Sequence, residues 1–256
     1  MSYPQLQMLI AGEWTNGTSG VTENVICPAD GTVLGELPHA SKEDLDDALN
    51  SSFEGFNKWR SETPLNRQSI LEKAAKILER EFEKNSENLT REMGKPLVEA
   101  KIEMQVAIDL LRWYGEEGKR VYGRIIPSRI PNMEHEARKV PVGPVLAFVA
   151  WNFPATNVMR KVAGALAAGC SITIKPSEET PATAIAIGKA LMEAGLPAGV
   201  LNIVFGVPSE VSEHLLASPI PRKLSFTGSV PVGIHLQKLA CLLYTSDAAD
   251  DRCCVV

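Results

Sequence analysis

The feature that most constrains the fold is a regular alternation of short apolar strands and helices that begins at Pro144. The predicted strands are residues 145–149, 171–174, 201–205 and 223–226, and the predicted helices between them are residues 155–168, 182–194 and 209–217. Almost continuously apolar strands are typical of sheets covered on both faces, and a helix between successive strands makes the strands parallel. We therefore predict an α/β fold with a Rossmann-like parallel sheet and helices on both faces.

The first 142 residues have a different pattern, which adds three parts to this fold. Residues 10–37 contain short apolar pieces separated by glycines, which predicts peripheral hairpin strands. A helical layer follows, in which Ser41 and Asp44 form a capping box and Pro64 and Pro96 begin two further helices. The predicted apolar faces of these three helices are Leu45, Ala48, Leu49, Phe53 and Phe56, then Ile70, Leu71, Ala74, Ile77, Leu78 and Phe82, then Val98, Ile102, Val106, Leu110 and Trp113. Residues 122–142 contain three prolines and predict an extended arm.

Composition limits the class of partner. A chain of 256 residues with 45% hydrophobic residues can bury a large core. Its net charge of -5 argues against a nucleic acid or a membrane surface as the main partner, so we expect a small-molecule ligand. The sequence shows neither a signal peptide nor a membrane span, which predicts a cytoplasmic location. The five cysteines have no metal-ligand spacing and no disulfide pattern, so we expect reduced thiols and no metal.

Polar residues and glycines follow three of the predicted parallel strands. Asn152 follows the first strand, Lys175 and Glu178 follow the second, and Gly228 and Ser229 follow the fourth. Ligands of open parallel sheets bind at the carboxyl ends of the strands, so we expect these residues to face one crevice. An ammonium can donate to ribose hydroxyls, whereas a carboxylate accepts from a 2'-hydroxyl and repels a 2'-phosphate, which favours NAD over NADP. Backbone amides at Gly228 and Ser229, at a helix start, can bind pyrophosphate.

Each position also has an interpretation without a ligand. Asn152 fits a turn or cap residue, and Lys175 with Glu178 fits a solvated surface pair. Gly206, at the end of the third strand, fits a plain turn glycine.

Three motifs in register nevertheless resemble the aldehyde dehydrogenase superfamily. They are Trp151-Asn152-Phe153-Pro154, Lys175-Pro176-Ser177-Glu178 and Phe226-Thr227-Gly228-Ser229. The likeness extends from about residue 9 to residue 240, and residues 114–120 with Arg160-Lys161 are most similar to succinate-semialdehyde dehydrogenases. The resemblance implies that a cysteine thiolate attacks an aldehyde, that the thiohemiacetal gives a hydride to NAD or NADP, and that water releases the acid with a glutamate as base.

The resemblance also implies roles for single residues. Asn152 would be catalytic, donating a hydrogen bond to the oxyanion of the thiohemiacetal. The cofactor contacts would be Trp151, Asn152, Lys175, Ser177, Glu178, Gly228 and Ser229. Arg160 would hold a substrate carboxylate, for which a guanidinium is well shaped, although an ordinary helix-surface charge is an equal alternative.

The likeness stops after Ala240. The family continues with a Glu-Leu-Gly-Gly segment that carries the base and a Gly-Gln-x-Cys segment that carries the nucleophile, and residues 241–256 contain neither. We therefore expect an incomplete aldehyde dehydrogenase fold without a catalytic domain, inactive by itself and without an identifiable catalytic cysteine. Cys170 fits a small buried residue. The predicted division is a helical part (residues 1–121), an oligomerisation arm (122–142), a cofactor-binding core (143–240) and a non-family tail (241–256).

The first hypothesis is thus a fragment of an NAD(P)-dependent, semialdehyde-oxidising enzyme whose full-length parent is a homo-oligomer. The alternative is a non-catalytic nucleotide-binding or subunit-interaction protein. A Rossmann-type dehydrogenase that oxidises an alcohol is disfavoured, because no G-x-G-x-x-G turn follows the first strand.

Overall fold

The structure, a computed structural model, describes residues 3–240, which form ten strands and eight helices. The strands are β1 (Met8–Ile10), β2 (Glu13–Thr15), β3 (Thr22–Ile26), β4 (Val33–Pro38), β5 (Arg124–Pro127), β6 (Glu134–Ala137), β7 (Val145–Phe148), β8 (Ile172–Lys175), β9 (Leu201–Ile203) and β10 (Lys223–Phe226). The helices are α1 (Lys42–Trp59), α2 (Pro64–Arg80), α3 (Phe82–Met93), α4 (Leu97–Gly118), α5 (Pro154–Ala167), α6 (Pro181–Glu193), α7 (Pro208–Ala217) and α8 (Val230–Ala240).

The central sheet has six strands in the order β10-β7-β8-β9-β1-β2. The four strands β10, β7, β8 and β9 are parallel, as the alternation predicted. The hairpin strands expected within residues 10–37 are present as β2, at the edge of this sheet, and as the separate pair of β3 and β4. The strand β1 pairs antiparallel with β9 and joins the hairpin to the sheet. Met8 and Leu9 are consequently fully buried. The sheet is therefore mixed rather than purely parallel.

The strand order creates a switch in chain direction between β7 and β10. From β7 the chain passes through α5 to β8 and through α6 to β9, and α7 then returns it to β10 on the other side of β7. Right-handed crossovers in opposite directions put α5 and α6 on one face and α7 on the other. The contacts of α5 with α6 and of α1 with α7 agree with helices on both faces. Ligands of such sheets bind at the carboxyl ends of the strands beside this switch point.

The helical layer of α2, α3 and α4 packs against α5 and α6. Local signals predicted much of this region correctly. In the capping box, Ser41 Oγ accepts from the Asp44 amide at 3.1 Å and Asp44 Oδ2 accepts from the Ser41 amide at 2.8 Å. Phe82, however, begins the separate helix α3, which ends at Gly94 in the left-handed conformation with φ +83°.

The predicted apolar face of α4 was wrong. Val98, Ile102 and Trp113 are 71%, 60% and 64% exposed. The buried face consists of Ala100, Glu103, Met104, Ala107, Ile108, Leu111, Gly115 and Gly118. Met104, Ile108 and Leu111 fill the core from this face, while its alanines and glycines let the backbones of neighbouring helices approach closely. Phe53 of α1, also predicted to be buried, is 51% exposed.

The predicted extended excursion is present as an exposed hairpin. Strands β5 and β6 pair antiparallel, and every residue in both strands is exposed. Across residues 3–240, no helix combines the length and the apolarity that a bilayer crossing requires.

Candidate functional site

The ends of β7, β8 and β10 lie side by side. The Thr227 amide donates to the Phe148 carbonyl at 2.9 Å, and the Val149 amide donates to the Lys175 carbonyl at 3.3 Å. These two bonds extend the parallel pairing past the strands themselves. The segments that carry the three sequence motifs therefore leave the sheet at one edge, beside the switch point.

The turn after β7 presents its side chains to the outside. Trp151, Asn152 and Phe153 are all exposed, whereas Pro154 is buried as the first residue of α5. Proline suits this position because the first amides of a helix have no partner within the helix. The turn therefore keeps a carboxamide and two aromatic rings accessible at the edge of the sheet.

The carboxamide of Asn152 is oriented by a neighbour. Asn157 Nδ2 donates to Asn152 Oδ1 at 3.3 Å. Because the oxygen accepts this bond, the Nδ2 group is the end of the amide that remains available to donate. In residues 3–240 it has no hydrogen-bond partner.

Sequence reasoning missed the two residues that hold this turn. The buried ammonium of Lys95 pairs with Glu103 Oε2, lies 3.3 Å from the Asn152 carbonyl oxygen and sits 4.4 Å from the centre of the Phe153 ring. Glu103 Oε1 accepts from the amides of Ala155 and Thr156 at 2.8 and 3.1 Å. One ion pair thus caps α5 and fixes the backbone of the turn that carries Asn152.

A second buried glutamate, also missed from the sequence, caps α6 in the same way. Glu92, 2% exposed, accepts from the amides of Ala182 and Thr183 at 2.8 and 3.1 Å and from the Tyr3 hydroxyl at 2.7 Å. Burial raises the pKa of Glu92 to about 7, although these hydrogen bonds and one from the Thr183 hydroxyl act in the opposite direction. Burial and the Glu92 carboxylate raise the pKa of Tyr3.

Lys175 and Glu178 form a mostly buried ion pair. Their side chains are 6% and 14% exposed, and Lys175 Nζ donates to Glu178 Oε2 at 2.7 Å. The interpretation as a solvated surface pair is therefore wrong. Glu178 Oε1 also accepts from the Gly206 amide at 3.3 Å. Gly206, which the sequence suggested was a plain turn glycine, links the end of β9 to this pair with φ +147°, a conformation that favours glycine.

Ser177 is 9% exposed, and its hydroxyl donates to the Glu179 carboxylate. It lies in the same segment as the ion pair, between Lys175 and Glu178.

The segment after β10 leads into α8 through Gly228 and Ser229. A Cβ atom at Gly228 would lie 2.4 Å from the ring of Phe226, so the turn requires glycine. Ser229 is exposed, and its carbonyl accepts from the Gly233 amide at 3.0 Å. Within the part of the chain that the structure describes, no side chain caps the first amides of α8.

Arg160 lies on α5, one helical turn beyond Asn157. Its side chain is exposed and has no carboxylate partner among residues 3–240. The next residue, Lys161, donates to Ser225 Oγ of β10 at 3.0 Å. Burial and the neighbouring Arg160 lower the pKa of Lys161 to about 8.

The thiols of Cys27 and Cys170 are free and buried, which agrees with the packing role expected for Cys170. Cys241, Cys253 and Cys254 lie outside the described residues. Between residues 3 and 240, no three His, Cys, Asp or Glu side chains come together as a metal site would require.

Comparison with known proteins gives one consistent answer. Residues 14–244 match the sequence model of the aldehyde dehydrogenase family. The chain is 47% identical over 234 residues to a 4-(hydroxymethyl)benzenesulfonate dehydrogenase of Comamonas testosteroni, covering 91% of this chain and 49% of that protein. It is 38% identical over 232 residues to an NADP-dependent succinate-semialdehyde dehydrogenase of Escherichia coli, covering 91% and 48%.

A solved structure gives the same result for the fold. The crystal structure of succinate-semialdehyde dehydrogenase from Burkholderia pseudomallei matches with a TM-score of 0.92 at 38% identity, covering 94% of this chain and 50% of that one. The chain thus spans about half the length of the relatives that it matches.

Proposed function

Because the chain belongs to the aldehyde dehydrogenase family, we propose that it carries the cofactor-binding part and the oxyanion donor of an enzyme that oxidises an aldehyde to an acid with NAD(P). The observation that supports this most is the convergence of the segments after β7, β8 and β10 at one edge of the sheet. Trp151, Asn152, Lys175, Ser177, Glu178, Gly228 and Ser229 all belong to these three segments.

Of the helix starts that follow β7, β8 and β10, only the start of α8 fits a dinucleotide. The first amides of α5 and α6 already bind the carboxylates of Glu103 and Glu92. A pyrophosphate would meet negative charge there, whereas the uncapped start of α8 offers free amides. We therefore assign the pyrophosphate to Gly228, Ser229 and the first turn of α8.

The ion pair of Lys175 and Glu178 is suited to the ribose. Lys175 can donate to the sugar hydroxyls, and Glu178 can accept from them. The Glu178 side chain is 14% exposed, and its carboxylate would repel a 2'-phosphate, so we propose NAD as the preferred cofactor, with NADP bound more weakly.

Asn152 is the proposed oxyanion donor. When bound, the nicotinamide supplies a hydride acceptor. The Nδ2 group of Asn152 would donate to the oxygen that becomes negative when a nucleophile adds to the aldehyde. Losing such a donor typically costs about 3–4 kcal/mol of transition-state stabilisation. The carboxamide suits this task because it is uncharged and Asn157 and Lys95 hold its orientation and backbone.

The proposed substrate is an aldehyde with an anionic group, such as succinate semialdehyde. Arg160 is exposed, lacks a carboxylate partner within residues 3–240 and lies beyond Asn157 on α5. Its guanidinium would bind the anionic end of the substrate. The name of the relative from Comamonas testosteroni favours a second substrate class, an aromatic sulfonate, which would present an anion to the same residue.

We further propose that this chain does not turn over aldehyde by itself. The two cysteines in residues 3–240 are buried and therefore unsuited to attack a substrate. The exposed hairpin of β5 and β6 is the proposed oligomerisation arm. The cytoplasmic location stays a prediction.

Titration of the purified chain with NADH, followed by nucleotide fluorescence, tests the proposed cofactor site. We expect saturable binding that weakens at least about tenfold in Lys175→Met, because the ribose loses a donor and Glu178 loses its counter-charge. Lys73→Met, which removes an exposed lysine of α2, is the matched control and should bind like the unmodified chain. NADPH should bind more weakly than NADH.

Two outcomes would separate the alternatives. Absence of NADH binding by a folded chain would contradict the cofactor site. Binding together with measurable oxidation of succinate semialdehyde would contradict the proposed inactivity. Binding without turnover also fits a non-catalytic nucleotide-binding protein, so that outcome supports the site but not the reaction.

A further inference from the structure

A cleft of about 210 Å³ lies between α2, α3 and α6. Asn85 and Asn88 line it, and they are only 8% and 6% exposed. In residues 3–240 neither carboxamide makes a side-chain hydrogen bond. Their amide groups still reach solvent, so in this cleft they can donate to water or to a ligand rather than to the protein.

The charges around the same cleft are unbalanced. Arg80 binds Glu193 through two hydrogen bonds of 2.9 and 3.0 Å and also pairs with Glu81, which lines the cleft too, at 3.1 Å. With Lys84 and Lys189, three cations and two carboxylates line the cleft. Neither lysine has a carboxylate partner among the residues that the structure describes. Desolvation lowers the pKa of Lys189, and the neighbouring Lys84 ammonium lowers it further. An anion between the two lysines would relieve this repulsion.

We propose that this cleft binds a small anion that carries a carboxylate or phosphate group, with Asn85 and Asn88 as hydrogen-bond donors and Lys84 and Lys189 as counter-charges. The ligand class follows from the donors: two carboxamides offer directed N–H groups, and two ammonium groups compensate charge. Apolar residues of α2 and α6, including Ile77 and Ile185, complete the walls and suit a short carbon chain attached to the anion. This inference is independent of the function proposed above.

Side-chain amide resonances of Asn85 and Asn88 provide a direct test. The full chain is titrated with inorganic phosphate and, separately, with acetate and succinate at constant ionic strength. We expect saturable shifts of both amides with at least one of these anions, and the anion that saturates first identifies phosphate or carboxylate as the preferred group. Lys84→Met and Lys189→Met should each weaken binding by about fivefold, as removal of one charge close to an anion in water predicts. Lys76→Met, an exposed lysine that pairs with Glu72, is the control and should leave binding unchanged.

A second measurement separates a binding site from a merely hydrated cleft. Asn88→Leu removes one donor from the cleft without breaking a hydrogen bond to the protein, so the thermal midpoint of the chain in buffer without added anion should change little. The same variant should lose the rise in midpoint that the anion causes in the unmodified chain. Shifts that increase linearly with each anion, or an equal loss of affinity in Lys76→Met, would overturn the proposal. The lysine variants keep the test valid if Asn88→Leu does not fold.

Discussion

The starts of α5 and α6 differ from the start of α8 in how their first amides are bonded. Both α5 and α6 receive a buried carboxylate from a distant helix, Glu103 and Glu92 respectively. The start of α8 receives no side chain from residues 3–240 and is preceded by Gly228 and Ser229. All three helices follow parallel strands at the same edge of the sheet.

This difference shows that a helix start in a nucleotide-binding sheet is not by itself a phosphate site. The positive end of a helix attracts any anion, and a protein carboxylate can occupy it permanently. Of the four helix starts at this edge, those of α5 and α6 are used for stability in this way. Within residues 3–240 the starts of α7 and α8 lack a side-chain cap, and of these two only α8 follows a strand at the switch point.

The two carboxylate caps also differ from each other. Glu103 has a cation, Lys95, beside it, whereas Glu92 is held by neutral donors, the hydroxyls of Tyr3 and Thr183 and two backbone amides. A buried carboxylate without a counter-ion is unfavourable in its charged form. The pKa of about 7 for Glu92 reflects this environment.

The largest expected effect comes from removing the Glu103 carboxylate that caps α5. Glu103→Ala removes the acceptor of two amides and leaves the buried ammonium of Lys95 without its partner, so the free energy of unfolding should fall by about 3–5 kcal/mol in urea denaturation. Glu99→Ala, an exposed glutamate of the same helix, is the control. Adding Lys95→Met to Glu103→Ala should recover part of the loss. A loss below about 1 kcal/mol in the single variant would show that this helix start does not need its carboxylate.

The next effect concerns pH and the cap of α6. Below about pH 4.3 both the folded and the unfolded chain hold the proton of Glu92, and between about pH 4.3 and 7 only the folded chain holds it. The free energy of unfolding should therefore fall as pH rises through this range, by about 3 kcal/mol, and level off above pH 7. Glu92→Gln should lack this fall in urea midpoints measured from pH 4.5 to 8. Identical pH profiles for the unmodified chain and Glu92→Gln would mean that Glu92 does not titrate in this range. The lack of a counter-ion would then not distinguish its cap from that of Glu103.

A smaller effect is expected when the start of α8 is given a carboxylate cap like those of α5 and α6. Ser229→Asp supplies a carboxylate where none is present, and NADH affinity should fall by about tenfold because the pyrophosphate meets a like charge. Stability should change by less than about 1 kcal/mol. The uncharged, similarly shaped Ser229→Asn should retain most of the affinity in the same fluorescence titration. Equal affinities for the two variants would place the pyrophosphate elsewhere.

The smallest effect concerns the exposed carboxamide of Asn152, which precedes α5 and has no counterpart at the start of α6. Asn157→Leu removes the 3.3 Å hydrogen bond to Oδ1, and the expected loss of stability is about 0.5–1 kcal/mol. The shifts of the two side-chain amide protons of Asn152 should move towards those of a solvated asparagine as the carboxamide loses its fixed orientation. Unchanged amide signals would show that Lys95 alone is sufficient to fix the turn.

The sequence predicted the parts of the fold that depend on neighbouring residues. The capping box of Ser41 and Asp44 spans three residues, and the four parallel strands are continuous apolar runs. The shared edge of the sheet followed from the rule that parallel strands bring their carboxyl ends together. Lys175 and Glu178, three residues apart, could likewise be paired from the sequence, although their burial could not.

The missed features depend on partners distant in the chain. Glu103 contacts an amide 52 residues away, and Glu92 contacts one 90 residues away. Charged residues on helices are usually solvated, so the sequence assigns neither glutamate a structural role. A signal was nevertheless present: Glu103 lies three residues after Ala100 and four before Ala107, on the face of α4 that is buried.

That signal was hidden because the wrong face of α4 was predicted to be apolar. The prediction followed the apolar residues Val98 and Ile102, although Met104, Ile108 and Leu111 form a second apolar set at helical spacing on the packed face. Both faces carry apolar residues at helical spacing, and the face that packs is the one that α2, α3 and α5 cover. As a result, Val98 and Ile102 were predicted to be buried and Glu103 was assigned no role, whereas the structure exposes the two apolar residues and buries the glutamate.

The two long-range caps make the order of folding events predictable. The helix starts of α5 and α6 gain their acceptors only after α3 and α4 have docked, which closes loops of roughly 50 to 90 residues. Such distant contacts slow folding and form late. Residues 143–240 expressed without the preceding segment would carry two helices with frayed first turns, so the nascent sheet depends on residues synthesised well before it.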